Sequence, residues 1–120
     1  MENLLRNLNM EDVLKIRFSP DKAIELLNKD EAILLDIRYP FETEKWGMKF
    51  SIEIPLNELP DRVEELPKDK VIICACPQDF RSNIACQFLN LHGFHAKVLV
   101  GGLLALTDRL KGMAAKDLTL

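Results

Sequence analysis

Apolar residues along this chain fall into two patterns, short continuous runs and helix-spaced segments. Continuous runs lie at 32–35, 71–76 and 96–100, and a shorter one at 52–54 precedes Pro55. Runs of this length are typical of strands buried on both faces, as in a parallel sheet between helices. The pattern therefore predicts four strands of such a sheet.

Helix-spaced segments lie between these runs. Ser19 followed by Pro20 predicts a helix start, with Ser19 as the N-cap residue and the helix running to about Asn28. Its predicted inward residues are Ala23, Ile24, Leu26 and Leu27. The other predicted helices cover 56–66, 82–92 and 102–115. Strands that alternate with helices predict one doubly wound α/β domain with a mainly parallel sheet.

A further amphipathic segment precedes Ser19. Apolar residues recur at helical spacing between Leu4 and Ile16, with a break near Asn9. We therefore expect an N-terminal helical extension over residues 1–18 and the α/β domain over 19–120. The extension is expected to cap the domain, and a dimer or partner contact is the alternative.

Composition narrows the classes of partner and compartment. The 120 residues carry a net charge of only -3, which does not fit the basic surface of a nucleic-acid-binding protein. The chain has no apolar stretch of about 18 residues that would span a membrane, and charged residues interrupt its N-terminal leucines, unlike a secretory signal. Three cysteines, an odd number, suit a reducing compartment. We expect a cytoplasmic monomer or homodimer without nucleic-acid, membrane or cofactor binding.

One cysteine stands at a chemically distinctive place. Cys76 ends the 71–76 run, and Arg81 and Ser82 lead into the next predicted helix. Reactive groups of such sheets lie beyond the carboxyl ends of the strands. A helix start and a tight loop of N–H groups favour negative charge, so the pattern predicts a nucleophilic thiolate at Cys76 that accepts a transferable atom. The candidate substrate-binding residues are Pro77, Gln78, Asp79, Phe80 and Arg81.

The other two cysteines are expected to pack in the core. Cys74 leaves its strand on the same face as Cys76, with the two Cα atoms about 6.6 Å apart and side chains that do not converge as a disulfide requires. A resolving thiol is the alternative role for Cys74. Cys86 lies on a predicted helix among apolar neighbours. Because the cysteines and histidines lack the paired spacing of zinc ligands, we expect no metal site.

An ordered set of motifs resembles the rhodanese-like domain family over about residues 19 to 110. The motifs, in family order, are LLDIRYP at 34–40, IEIPL at 52–56, LPKDKVI at 66–72, Cys76-x4-Arg81-Ser82, Gly93-Phe94 and Gly101-Gly102. The resemblance implies a sulfurtransferase in which Cys76 takes sulfur from a donor as a persulfide and passes it to a thiol or another acceptor. It also implies that loop N–H groups stabilise the sulfur, that Arg81 orients the loop or attracts the donor, and that Asp36 and Arg38 brace the loop.

The loop departs from the family pattern. Pro77 removes the N–H that follows the cysteine, and Trp46-Gly47 stands where the family usually has Gly-His. Asp79 either caps the next helix or, if it points into the loop, repels a divalent anion. We therefore expect a persulfide or polysulfide donor rather than thiosulfate, with Trp46 and Phe80 at an apolar edge of the pocket.

Two other functions remain open. The departures just described also fit a rhodanese-like binding or regulatory module with weak or no turnover. The spacing of Cys74 and Cys76 allows a redox protein that uses them as a thiol pair.

Overall fold

The computed structural model describes residues 2–120, and Met1 of the predicted extension lies outside the described residues. The strands are β1 (Arg17–Phe18), β2 (Ala32–Asp36), β3 (Ser51–Glu53), β4 (Val71–Ala75) and β5 (His95–Leu99). They form one sheet in the order β1-β5-β4-β2-β3, and every neighbouring pair is parallel. The predicted α/β class, a parallel sheet flanked by helices, is confirmed.

Helices connect the strands and cover both faces of the sheet. They are α1 (Glu2–Asn7), α2 (Met10–Lys15), α3 (Pro20–Asn28), α4 (Pro40–Thr43), α5 (Leu59–Arg62), α6 (Phe80–Leu91) and α7 (Gly102–Arg109). The predicted start of α3 is confirmed, because the Ser19 hydroxyl accepts the Lys22 N–H at 3.1 Å. The predicted inward residues of α3 are all buried.

Two predicted helices are shorter in the structure. In the segment 56–66, α5 is flanked by two 3₁₀ turns, and it begins at Leu59 because Pro60 lacks an N–H and fits only the first turn of an α-helix. The predicted helix over 102–115 ends at Arg109, shortly before Gly112, which has a φ of +62°. A helix of L-residues does not continue through that conformation.

The sheet begins inside the segment predicted as an extension. Arg17 and Phe18 form the edge strand β1 and pair with Val98 and Leu99 of β5. Ahead of β1, α2 has no buried residue, and the apolar contact of this segment with the core comes from Ile16, its C-cap residue. The large apolar side chains exposed in α1 and α2 include Leu5, Met10, Val13 and Leu14. None of the helices in residues 2–120 has the length and apolarity needed to cross a membrane.

The core consists of two clusters, one on each face of the sheet. One cluster packs α3 and α7 against residues such as Leu34 and Ile73. The other packs α6 against residues such as Leu35, and all three cysteines belong to it. Because Asp36 pairs with Ala75 at the ends of β2 and β4, the segments that follow these strands lie side by side. The fold thus places Cys76 beside the Asp36–Arg38 segment at the carboxyl edge of the sheet.

Candidate active site

Cys76 lies between the end of β4 and the start of α6. Its side chain is 2% exposed. The Cys76 Sγ accepts the backbone N–H of Ser82 at 3.4 Å, and the thiol donates to the Ser82 Oγ at 3.5 Å. The Ser82 hydroxyl in turn donates to the backbone oxygen of Asp79 at 3.1 Å. A buried serine in the first turn of α6 therefore fixes the sulfur at the helix N-terminus.

The loop after Cys76 presents backbone donors that the protein itself does not use. Within residues 2–120, the N–H groups of Gln78, Asp79, Phe80 and Arg81 donate to no protein acceptor. Phe80 and Arg81 are the first two residues of α6. The first N–H groups of a helix have no carbonyl in a preceding helical turn to which they can donate. Successive free N–H groups of this kind favour an anion.

A pocket of about 220 Å³ opens over the cysteine. Its lining residues are Cys76, Pro77, Gln78, Phe80, Arg81 and Leu104. Phe80 is 82% exposed, so its ring forms an apolar edge of the pocket as predicted. Trp46 is not among the lining residues, and its ring instead lies against Arg38, whose guanidinium carbon is 4.1 Å from the ring centroid.

The start of α7 holds the loop from the other side. The N–H of Leu103 donates to the backbone oxygen of Cys76 at 2.8 Å, and the N–H of Leu104 donates to the backbone oxygen of Pro77 at 3.1 Å. Gly102 permits this approach: its φ is +65°, and a Cβ there would lie 2.5 Å from the carbonyl carbon of Gln78. The Gly101-Gly102 turn is therefore part of the site, because Gly102 lets the first N–H groups of α7 donate to the backbone of the loop.

Asp79 does not point into the pocket. Its carboxylate pairs with Arg17 of β1 at 3.8 Å, and Asp79 is absent from the pocket lining. It occupies the N-cap position of α6, but its side chain makes no capping hydrogen bond. Neither orientation expected from the sequence is therefore present, and repulsion by Asp79 gives no reason to disfavour thiosulfate.

Arg81 lines the pocket but is already paired. Its two terminal nitrogens each donate to one oxygen of Glu42, both at 2.7 Å. The Arg81 hydrogen bonds lower the pKa of the Glu42 carboxyl to about 2, although partial burial opposes the shift. The guanidinium at this pocket is thus neutralised by a carboxylate from α4.

Asp36 and Arg38 form a buried ion pair, with Arg38 Nη2 at 2.7 Å from Asp36 Oδ2. The pair was expected to brace the Cys76 loop. Among the described residues, however, the Asp36 carboxylate accepts hydrogen bonds from Arg38 alone. Arg38 also donates to the backbone oxygen of Trp46 at 3.1 Å. The contacts therefore brace the segment after β2, including the turn that holds Trp46.

Comparison with known proteins identifies the family. The family model of the rhodanese-like domain matches residues 19–108. This chain belongs to the rhodanese-like domain family. A protein named sulfurtransferase from Allochromatium vinosum is 31% identical over 81 residues, which are 67% of this chain and 76% of that relative. The rhodanese resemblance seen in the sequence is thereby confirmed, and the relatives are sulfurtransferases by name.

Solved structures share the rhodanese fold. A rhodanese-related protein from Thermoplasma volcanium aligns with a TM-score of 0.69 and 28% identity, over 78% of this chain and 91% of that chain. The human single-domain sulfurtransferase TSTD1 aligns with a TM-score of 0.71 over 78% of this chain and 96% of that chain. At 19% identity, the human protein shows the fold alone.

The two other cysteines of this rhodanese domain are buried in the core, as predicted. Burial raises the pKa of the Cys74 thiol well above its ordinary value. Burial also raises the pKa of Cys86 to about 11. Both thiols are therefore protonated at neutral pH. In the part of the chain that the structure describes, no group of three or more His, Cys, Asp or Glu side chains could hold a metal ion.

Sequence reasoning missed three residues that contact the candidate site. Ser82 follows Arg81 in the motif, so its position was visible although its hydrogen bonds to the sulfur were not. The approach of Gly102 to the loop was indicated only as a glycine turn. Glu42 carried no signal in the sequence, because 39 residues separate it from Arg81.

Proposed function

We propose that this rhodanese-family domain is a sulfurtransferase that carries sulfane sulfur as a persulfide on Cys76. The observation that supports this function is the setting of the Cys76 sulfur. It accepts the Ser82 N–H at the base of a pocket, beside four loop N–H groups that have no acceptor among residues 2–120. Preorganised donors of this kind stabilise the negative charge of a thiolate or a persulfide anion.

The reaction has two displacement steps. The Cys76 thiolate attacks the outer sulfur of a donor, a Cys–S–S bond forms, and the donor's S–S bond breaks with its electron pair leaving on the donor fragment. An acceptor thiolate then attacks the outer sulfur of the Cys76 persulfide, which releases the Cys76 thiolate and transfers the sulfur. In each step one sulfur–sulfur bond forms as another breaks, so the transfer requires no cofactor.

The pocket suits a small donor and a thiol acceptor. Its volume of about 220 Å³ admits the reactive end of a small persulfide or polysulfide. Pro77, Phe80 and Leu104 give its walls apolar surface that can contact the carrier of the sulfur. We place the reaction in the cytoplasm, where a protein with three cysteines keeps its thiols reduced.

Turnover of a persulfide or polysulfide donor with a dithiol as the sulfur acceptor tests this function. Dithiothreitol accepts the sulfur and cyclises, which releases hydrogen sulfide that can be followed over time. We expect release catalysed by wild type and by the matched control Cys86→Ser, and none above background by Cys76→Ser. Equal release by wild type and Cys76→Ser would contradict the proposal.

The binding-module alternative is favoured by one observation, the 2% exposure of Cys76. A buried sulfur meets a donor only through the pocket mouth, whereas a binding module needs no such access. This alternative predicts a folded protein that takes up no sulfur from any donor.

A further inference from the structure

Three arginines on the segments at and beside the Cys76 loop are each paired with a carboxylate. Arg17 pairs with Asp79 at 3.8 Å, and Arg38 pairs with a buried carboxylate at 2.7 Å. Arg81, the cation that lines the pocket, makes two parallel 2.7 Å hydrogen bonds to Glu42. The backbone N–H groups are thus the donors left to attract an anion. This arrangement bears directly on which sulfur donors the pocket favours.

The Glu42–Arg81 pair is held in place from both sides. Glu42 Oε1 also accepts the N–H of Tyr39 at 3.1 Å, in the first turn of α4. The Arg81 guanidinium carbon lies 5.9 Å from the centroid of the Tyr39 ring. Bidentate pairs of this kind are strong and geometrically specific. Because the Glu42 carboxyl has a pKa of about 2, the pair is intact throughout the neutral range.

We propose that Glu42 determines the class of sulfur donor by neutralising Arg81, so that singly charged organic persulfides are used in preference to the thiosulfate dianion. This inference rests on the proposed persulfide chemistry of Cys76. An unpaired guanidinium at the pocket would attract a dianion twice as strongly as a monoanion at the same distance. With Arg81 paired, that advantage of thiosulfate is removed.

The two donor reactions differ in the charge that they bring to the pocket. With thiosulfate, Cys76–S⁻ attacks the outer sulfur, the S–S bond breaks, and sulfite leaves with two negative charges. With the persulfide of 2-mercaptoethanol, the same attack releases the singly charged thiolate of 2-mercaptoethanol. In both cases the product on the protein is the Cys76 persulfide anion, and the change in the rate ratio between wild type and the Glu42 variant reports the effect of the Glu42 charge.

The test compares the initial rates at which Cys76 is loaded from these two donors in wild type and Glu42→Gln. Glutamine keeps an oxygen for the Tyr39 N–H but carries no charge. We expect the ratio of the thiosulfate rate to the persulfide rate to rise about tenfold, chiefly through a lower KM for thiosulfate. The matched control is Glu65→Gln, which breaks a similar two-bond pair with Arg62 away from the pocket and leaves the ratio unchanged.

Different results overturn different parts of this account. An unchanged ratio in folded Glu42→Gln, while wild type loads from the organic persulfide, would overturn the role of Glu42 and leave the proposed function standing. No loading of wild type from either donor would overturn the proposed function itself. Adding Arg81→Gln to Glu42→Gln must abolish the gain, and a gain that persists contradicts the inference. If Glu42→Gln does not fold, Glu42→Asp, which loosens the pair, must show a higher ratio of thiosulfate rate to persulfide rate than wild type.

Discussion

Gly102→Ala is the substitution that tests most directly how α7 holds the Cys76 loop. A Cβ at this position lies 2.5 Å from the carbonyl carbon of Gln78 and closer still to the backbone oxygens of Gln78 and Cys76. The neighbouring atoms are backbone, so a side-chain rotation does not relieve the overlap. The loop and the start of α7 must move apart by about 1 Å, which also lengthens the hydrogen bonds from Leu103 and Leu104.

The magnitude of the effect has two parts. Alanine at a φ of +65° costs about 1–2 kcal/mol, and the forced backbone shift costs about 1–3 kcal/mol more. Displacing Cys76 and its N–H donors by about 1 Å lowers the rate of sulfur transfer roughly 100-fold. We therefore expect Gly102→Ala to lose about 2–5 kcal/mol of unfolding free energy and most of its activity.

Gly112 supplies the matched control, because its φ is +62° and a Cβ there meets nothing within 4 Å. Gly112→Ala is expected to lose only the conformational cost and to keep wild-type transfer. Urea denaturation gives the unfolding free energies, and sulfide release per folded molecule gives the activities. If Gly102→Ala matches Gly112→Ala in both, the contact between α7 and the loop does not position the nucleophile.

Three further predictions concern the thiols and the Glu42–Arg81 pair. Near pH 8, iodoacetamide is expected to label Cys76 alone in the folded protein, and peptide mass mapping identifies the labelled site. The other two thiols are not expected to react, because burial raises the pKa of Cys86 to about 11 and that of Cys74 well above its ordinary value. Cys74→Ser is expected to keep most of the sulfur transfer while losing about 1–3 kcal/mol of unfolding free energy in urea, because its buried hydroxyl lacks a partner. Glu42→Gln is expected to lower the unfolding free energy by about 1–3 kcal/mol at neutral pH. Because folding lowers the pKa of Glu42 from 4.5 to about 2, this difference is complete above pH 4.5 and fades as the pH falls to about 2.

Each of these outcomes has a clear opposite. Labelling of Cys74 in the native protein near pH 8 would show that its thiol is not buried as the structure has it. Loss of transfer in Cys74→Ser would favour the redox pair over a single carrier cysteine. A Glu42→Gln difference that persists unchanged at about pH 2 would mean that the carboxylate charge does not stabilise the fold.

The sequence predicted the elements whose cause is local. The continuous apolar runs identified β2, β4 and β5, and Ser19-Pro20 identified the start of α3, because burial on both faces and helix capping leave a direct mark on residue type. The position of Cys76 after a buried strand followed from the same pattern. The edge strand β1 was missed, since a two-residue strand has too few residues to show a period.

The contacts that decide the chemistry of the site are not local. The Asp79 carboxylate pairs with Arg17, which lies 62 positions earlier in the chain. Arg17 is placed there because β1 pairs with β5. Glu42 reaches Arg81 because the ends of β2 and β4 are neighbours in the sheet. Both pairings depend on strand order, which the pattern of apolar residues did not determine. The sequence therefore indicated the nucleophile but not the charges around it.

Intact-protein mass spectrometry tests the persulfide on Cys76 most directly. Wild type and Cys76→Ser are incubated with polysulfide and, separately, with thiosulfate, and the mass is read before and after addition of a thiol. We expect a gain of about 32 Da in wild type from polysulfide that reverses with the thiol and does not occur in Cys76→Ser. Folded, reduced wild type that gains no sulfur from either donor, or a reversible gain that survives in Cys76→Ser, would contradict this expectation.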